Sequence, residues 1–486
     1  TLRAESSHFD VLIVGAGLSG VGAAYHLQAR CPGATYALLE AREAIGGTWD
    51  LFRYPGIRSD SDMYTLGYSF KPWTNPRAIA DGPSILEYVR ETAREHGIEG
   101  KVRFRHRVER ASWSSADARW TVEGRDAASG EPFRLTCGFL LVCSGYYDYE
   151  AGYEPAFPGR ERFGGRVVHP QHWPEGLDYA GRRVAVVGSG ATAVTLVPEM
   201  ARRAAHVTMV QRSPTYVMAR PSRDAVADWL RARLPAGAAY AATRWKNVLL
   251  GMAFYAYCRR LPAHAARLIV GGARRALGDL VDAATHLTPR YSPWDQRLCL
   301  APDGDFFAAV REGRASIVTD HVEAFTERGL RLRSGAELEA DLVVLATGLK
   351  LKILGGAELF VDGARVELSK TLTYKGSMFS DVPNLAFAVG YTNASWTLKC
   401  DLTSEYVCRL LNHLRERGLT RCCPRRTDPS VEGDPIIDFS SGYVQRALAE
   451  LPRQGPAPPW KLYQNYVLDL WLMRHAPLDD GTMQFS

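Results

Sequence analysis

The sequence predicts an α/β fold with two Rossmann-like dinucleotide-binding domains and a helical insertion in the second. Three observations carry that prediction. The glycine fingerprint Gly15-Ala16-Gly17-Leu18-Ser19-Gly20 directly follows an apolar run ending at Val14. A second fingerprint, Gly188-Ser189-Gly190-Ala191-Thr192-Ala193, follows another such run, Arg183 to Val187. Between 222 and 285 the composition turns to Ala, Leu and Arg and reads as helix. A chain of 486 residues, 46% of them hydrophobic, is long enough for two or three domains with cores of their own.

The elements follow in order. Val11 to Val14 is continuously apolar, as a parallel strand buried on both faces must be. A helix is expected over 18–30, then a strand from Tyr36 to Leu39 ending at Glu40. Residues 84–96 read as a helix, 103–136 as antiparallel strands, and Phe139 to Cys143 as a buried strand. The second unit repeats the plan with a strand over 183–187, a helix over 190–203 and a strand over 206–210 ending at Gln211-Arg212. Short strands return over 317–333. Asp341 to Ala346 and Leu385 to Val389 read as buried strands, and Val407, Leu410, Leu411 and Leu414 form a helical stripe that faces a core. The tail from 420 reads as proline-rich and irregular. The resulting division gives 1–150 and 341–486 to the first domain and its tail, 151–221 and 291–340 to the second, and 222–290 to the insertion.

The net charge is +6 and lacks the dense basic runs of a nucleic-acid reader. Nine cysteines without a CxxC spacing suit reduced thiols in a cytoplasmic protein, and no metal site is expected. The polar start, Thr1 to His8, runs straight into a strand and shows no signal peptide. No apolar run reaches the about 20 residues needed to cross a bilayer. The nearest, Val248 to Cys258, is flanked by Lys246, Arg259 and Arg260 and reads as a buried helix rather than a membrane-surface one. Membrane contact through 245–275 is left open.

The fingerprints carry the first chemistry. Gly15 permits the tight turn, Gly17 lets the backbone approach a pyrophosphate, and Gly20 lets the helix lie close to the strand. The helix N-terminus, with Ser19 in its first turn, offers backbone N–H groups to phosphates. Glu40 stands where an acid holds ribose hydroxyls. Gly46-Gly47-Thr48-Trp49 is expected to wrap the flavin side of the pyrophosphate. In the second unit Gly188, Ser189, Gly190, Ala191 and Thr192 form the phosphate loop, and Ala193 replaces the third glycine. Its second strand ends in Gln211-Arg212-Ser213. An acid there would repel a 2′-phosphate, whereas arginine pairs with it. FAD is therefore expected on the first unit and NADPH on the second, with electrons passing between them.

A further motif lies just ahead of the second unit: Phe163-x-Gly165-xxx-His169-xxx-Trp173-Pro174. It resembles the signature of the type I Baeyer–Villiger monooxygenases, a family within the flavin-dependent monooxygenases. The N- and S-oxygenating relatives carry another aromatic in place of tryptophan and lack the following Pro or Asp. The stretches from Gly46 to Met63 and from Ser292 to Arg297 are similar to the ethionamide-activating subgroup. The resemblance spans roughly 8–415.

The resemblance implies that NADPH reduces FAD, which takes up O2 as a C4a-peroxyflavin. Attack on a hydrophobic ketone or aldehyde then yields an ester or lactone. It assigns Arg297 as the cation that steadies the developing anion and Asp60 as the carboxylate that orients it, with Asp62 as rival. It places Asp60, Met63 and the backbone of Val108 beside the cofactors, and makes Phe163, Gly165, His169 and Trp173 domain-coupling residues. Gln296 stands where the family often has lysine, which leaves the 2′-phosphate more to Arg212 and Ser213. The segment Gly390 to Trp396 is expected near the flavin ring. Trp396 reads as a substrate-pocket residue, with core packing as the alternative. Rival functions are an S- or N-oxygenase, a flavin reductase of a disulfide or protein partner, and a flavin-binding protein without turnover.

Overall fold

The structure, a computed structural model, describes residues 7–428, 433–437 and 439–486; the polar start over 1–6 lies outside the described residues. The first strand–helix–strand unit forms as His8–Val14, Leu18–Arg30 and Tyr36–Leu39. Every residue of Tyr36–Leu39 is buried, which is why that run is apolar throughout rather than alternating. In the first sheet the strands stand in the order 364–365, 358–361, 106–114, 119–126, 132–142, 8–14, 36–39 and 102–103.

Pro132–Val142 is the joint of that sheet. Its outer half pairs antiparallel with Arg119–Asp126, and its inner half pairs parallel with His8–Val14 and Leu385–Phe387. Burial changes accordingly, from alternating to continuous beyond Phe139. On the antiparallel arm Trp113 and Trp120 are directly opposed, buried, with ring centroids 5.7 Å apart.

The second sheet has five parallel strands in the order 315–319, 206–211, 183–187, 342–345 and 166–168. This corrects the expected division, which gave 342–345 to the first domain. Leu342–Leu345 instead fills the slot between Arg183–Val187 and Arg166–Val168. Its four buried apolar residues fit a central strand of either sheet, so nothing local chooses between them. The chain crosses back only after Ala346. The two crossing segments lie side by side: the Tyr153 N–H donates to the Gly348 carbonyl at 3.0 Å and the Asp148 N–H to Lys350 at 2.9 Å.

The insertion is helical, chiefly Ala225–Arg231, Ala236–Arg260 and Pro262–Leu277. Although it interrupts the second unit in sequence, its long helix seats on the first. Tyr240 Oη donates to the Tyr68 carbonyl at 2.9 Å. The buried Arg244 donates to the carbonyls of Tyr64 and Gly67 at 2.8 and 2.7 Å, satisfying groups at the C-terminus of the short helix Met63–Leu66. The expectation of a buried helix over Val248–Cys258 holds on its inner side only. Val248 and Cys258 are buried, but Leu249 and Leu250 are 54% and 61% exposed. A helix apolar on both sides gives no periodicity from which to choose its inner face.

The tail is also more regular than expected. Cys422–Pro424 pairs with Met483–Phe485, and helices form over Gly442–Ala447 and Tyr466–Arg474. The helix carrying the Val407 stripe begins earlier, at Trp396, and lies along Leu18–Arg30.

Candidate functional site

Both fingerprints fit a phosphate cradle. Gly15 and Gly188 adopt φ of 103° and 139°, and a Cβ on either would meet a carbonyl oxygen, of Cys143 at 2.6 Å or of Ala346 at 2.2 Å. Glycine there lets the neighbouring strand end press against the turn. A Cβ on Gly20 would stand 1.9 Å from the Gly15 oxygen, so the helix can approach only without one. Both helices start from a glycine, Gly17 or Gly190, with no side-chain cap. Their first-turn N–H groups thus point beyond the strand ends, as a phosphate donor set requires. The third position of the second fingerprint, Ala193, is fully buried.

Around the first cradle, Glu40 is buried and accepts from the N–H groups of Ala16 and Arg42 at 2.8 and 2.9 Å. These bonds hold its carboxylate at the loop edge with lone pairs to spare for ribose hydroxyls. Gly47 lies against Gly17, where a Cβ would stand 3.0 Å from the Gly17 Cα, so the Gly46–Trp49 turn does fold over the fingerprint. Thr48 Oγ1 lies 3.1 Å from Tyr149 Oη, and Trp49 is half-buried on the first core. Val108 is buried at a bulge in the strand whose His106 N–H donates to the Glu40 carbonyl at 2.9 Å. Met63 is fully buried in the core.

Around the second cradle, Ser189 Oγ donates to the Ser213 carbonyl at 3.1 Å, and Thr192 bonds the hydroxyl of Tyr54, whose pKa burial pushes up to about 12. Arg212 and Ser213 are exposed beside the loop. Sequence reasoning missed Arg446. It comes from the helix Gly442–Ala447, far along the chain in a stretch read as irregular. Its guanidinium lies 3.5 Å over the Tyr153 ring. Burial, together with the nearby Arg212 charge, lowers its pKa. Gln296 Nε2 donates to Ser440 Oγ at 3.4 Å, so the same tail segment covers both positions.

His169 sits where the crossing segments meet. Its Nδ1 accepts from the Gln171 N–H at 3.2 Å, so Nε2 must carry the proton that faces the Gly348 carbonyl at 3.2 Å. Burial lowers its pKa and favours this neutral form. The other crossing segment touches the ring: a Cβ on Gly152 would fall 2.0 Å from it. The remaining motif residues serve the second domain's packing. Phe163 is buried edge-on to Phe325, a Cβ on Gly165 would clash with the Asp341 oxygen at 2.5 Å, and Trp173 is half-buried against the second core beside Tyr179.

Arg297 and Asp60 meet as expected. Arg297 Nε lies 2.6 Å from Asp60 Oδ2 and Nη2 lies 3.0 Å from Oδ1, a two-point pair. Burial opposes the Arg297 charge, but Asp60 and the neighbouring tyrosines outweigh it and raise the pKa. Asp62 is engaged elsewhere. It caps Met63–Leu66, accepting from the Thr65 N–H at 3.1 Å and from Asn247 Nδ2 at 2.9 Å.

Arg297 opens onto a cavity walled by Tyr146, Tyr391, Trp396, Phe439, Tyr443 and Leu462; among the described residues lining it, Arg297 alone is charged. Trp396 joins this cavity to the first fingerprint. Its Nε1 donates to Ser19 Oγ at 3.0 Å, and its ring stacks on Tyr146 at 4.8 Å. Tyr391 lies in the segment expected near the flavin ring, whereas Tyr146 and Tyr443 went unread because wall residues come from separate loops. For Tyr146 the available signal was Tyr146-Tyr147 directly after the strand-end pair Ser144-Gly145. All nine cysteines are free and buried, and none of the described lining residues is a cysteine.

Residues 72–229 match the flavin-binding monooxygenase-like family, and residues 13–76 match an NAD(P)-binding Rossmann-like domain. The chain is similar to the FAD-containing monooxygenase EthA of Mycobacterium tuberculosis (strain ATCC 25618 / H37Rv), with 53% identity over 482 residues covering 99% of this chain and 98% of the relative. Its fold is similar to that of an oxidized steroid monooxygenase bound to NADP (TM-score 0.75, 24% identity, 98% and 99% of the two chains). It is equally similar to that of an ε-caprolactone-bound cyclohexanone monooxygenase (TM-score 0.76, 19% identity, 99% and 100%). With two phosphate cradles and an aromatic cavity beside the first, this chain belongs to the FAD-containing, flavin-dependent monooxygenases and takes FAD and NADP as cofactors.

Proposed function

We propose that this protein is a Baeyer–Villiger monooxygenase. It inserts one oxygen atom of O2 beside the carbonyl of a hydrophobic ketone or aldehyde and releases an ester or lactone. One observation carries the reading: Arg297, gripped at two points by Asp60, is the one charged group among the described residues that wall an aromatic cavity. Bound FAD, reduced by NADPH, supplies the oxygen-activating chemistry. The protein's part is electrostatic. Arg297 steadies negative charge on the attacking oxygen and on the former carbonyl oxygen, and it acts where little water screens it. Asp60 fixes the plane of the guanidinium, so no reorganisation is needed at the moment of attack. The tyrosine and Trp396 walls hold an apolar substrate and exclude water.

For the reductant, Arg212 stands exposed beside the second loop, and its charge is felt by Arg446, whose pKa burial and that charge both lower. A bound dianion offsets that charge, and Gln296 contributes a neutral amide where a third cation would stand. Ser189 and Ser213 complete the rim. His169 ties the two crossing segments together and sets how the NADPH domain meets the flavin. Support also comes from the lactone held by the cyclohexanone monooxygenase neighbour.

The test is product analysis with the holoenzyme, NADPH and O2, offering a hydrophobic ketone and the matching thioether. Ester from the ketone is expected. Arg297→Ala is expected to cut ester formation by about 100-fold or more while FAD stays bound. Sulfoxide without ester would overturn the reading in favour of heteroatom oxygenation.

A further inference from the structure

Eleven large apolar side chains stand exposed among the described residues, and they are not scattered. Nine lie between Val226 and Leu280. The other two, Val467 and Trp471, are on the helix Tyr466–Arg474, whose Tyr466 ring meets Trp245 at 5.8 Å. The inner face of Ala236–Arg260 is used by the fold through Tyr240, Arg244, Asn247 and Val248. Its outer face carries Ala238, Ala241, Ala242, Trp245, Leu249 and Leu250, all exposed. Lys246, beside Trp245, is half-buried and turned to Asp224 at 2.5 Å, so charge returns only at the helix end with Arg259 and Arg260. A helix with two apolar faces, one of them open, marks a contact surface rather than a solvated one.

Charge identifies the occupant. The chain as a whole is nearly balanced, with 59 Lys and Arg against 53 Asp and Glu. From Trp229 to Gly278, however, there are nine Lys and Arg and no acid. Arg233, Arg260, Arg267, Arg274 and Arg275 are exposed, and Arg259 pairs with Asp295 at 2.7 Å. A second copy of this face would bring arginines against arginines, whereas anionic headgroups complement them. Tryptophan and arginine beside exposed leucine is also the composition of a surface lying in the headgroup layer. No helix among the described residues is long and apolar enough to cross a membrane, so the contact lies on the bilayer and not through it.

We propose that the helical insertion, together with Tyr466–Arg474, is a docking surface for an anionic lipid bilayer. Trp245, Leu249 and Leu250 seat in the interface and the exposed arginines meet headgroup phosphates. The proposal is independent of the oxygenation chemistry. Its test is flotation of the FAD-loaded protein with vesicles of phosphatidylcholine alone or mixed with phosphatidylglycerol. Flotation is expected with the mixed vesicles only, weakening about tenfold as salt rises from about 0.1 to 0.5 M. The pair Leu249→Asp and Leu250→Asp is expected to lower flotation at least about tenfold, with FAD content and NADPH oxidation in free solution unchanged. Arg260→Ser with Arg267→Ser is expected to weaken it without altering either control. Flotation with neither vesicle, or flotation indifferent to the aspartates, would overturn the proposal. So would a concentration-dependent dimer in light scattering that the aspartates break, which would make the face an interface between copies.

Discussion

Arg297 and Asp60 are separated by most of the second domain in sequence, yet they meet as a two-point pair. That geometry requires both partners. Asp60→Asn keeps the shape but removes the charge, and is expected to lower ester formed per NADPH consumed about tenfold while leaving FAD content intact. The reductant side has the same logic with opposite sign. The Arg212 charge opposes that of Arg446, and a bound phosphate would offset it. Arg446→Ala is expected to raise KM for NADPH about tenfold or more, the value of one charge-assisted bond, and to leave KM for NADH nearly unchanged. Steady-state kinetics with the two nucleotides read this directly. Of these four residues, sequence motifs reveal three. Arg446 escapes because its role depends on a six-residue helix in the tail that no motif marks.

The elements that hold the site were legible where one local rule decides them. The strand–turn–helix units follow from apolar runs and from glycines, of which Gly15, Gly20 and Gly188 leave no room for a side chain. Gly20→Ala would drive a methyl into the Gly15 oxygen, a backbone atom that cannot move aside. It is expected to cost about 3 kcal/mol and to release FAD, read as loss of yellow colour and a lowered Tm. Asp60 and Asp62 show where a local rule falls short. Both lie in one acidic stretch, and only the cap on Met63–Leu66 and the Asn247 contact show that Asp62 is already engaged. The long helix Ala236–Arg260 fails differently, since apolar residues all round leave the period silent about which face is buried.

At the scale of the whole molecule, the two sheets are joined by paired crossing segments with His169 between them. Burial depresses the pKa of His169, so the folded protein favours the neutral ring. Its contribution is therefore complete above the ordinary histidine pKa of about 6.5 and is lost as pH falls through the lower folded value. A protonated ring can no longer accept from the Gln171 N–H, and the clamp loosens. Uncoupled NADPH oxidation, measured as hydrogen peroxide per NADPH, is expected to rise only as pH falls through that lower folded value, on the acid side of about 6.5. His169→Ala is expected to be uncoupled at every pH, with FAD binding kept. By itself the sequence determined the two nucleotide units, because each rests on a short residue pattern with one physical solution, and its resemblance to a known family pointed to Arg297 with Asp60 or Asp62 and to the Phe163–Trp173 motif. The sheet that takes Leu342–Leu345, the face that Ala236–Arg260 buries, the tyrosine walls and the place of Arg446 were decided only by tertiary structure. Each depends on which distant surface an apolar run or a cation meets, and short-range patterns carry no record of that.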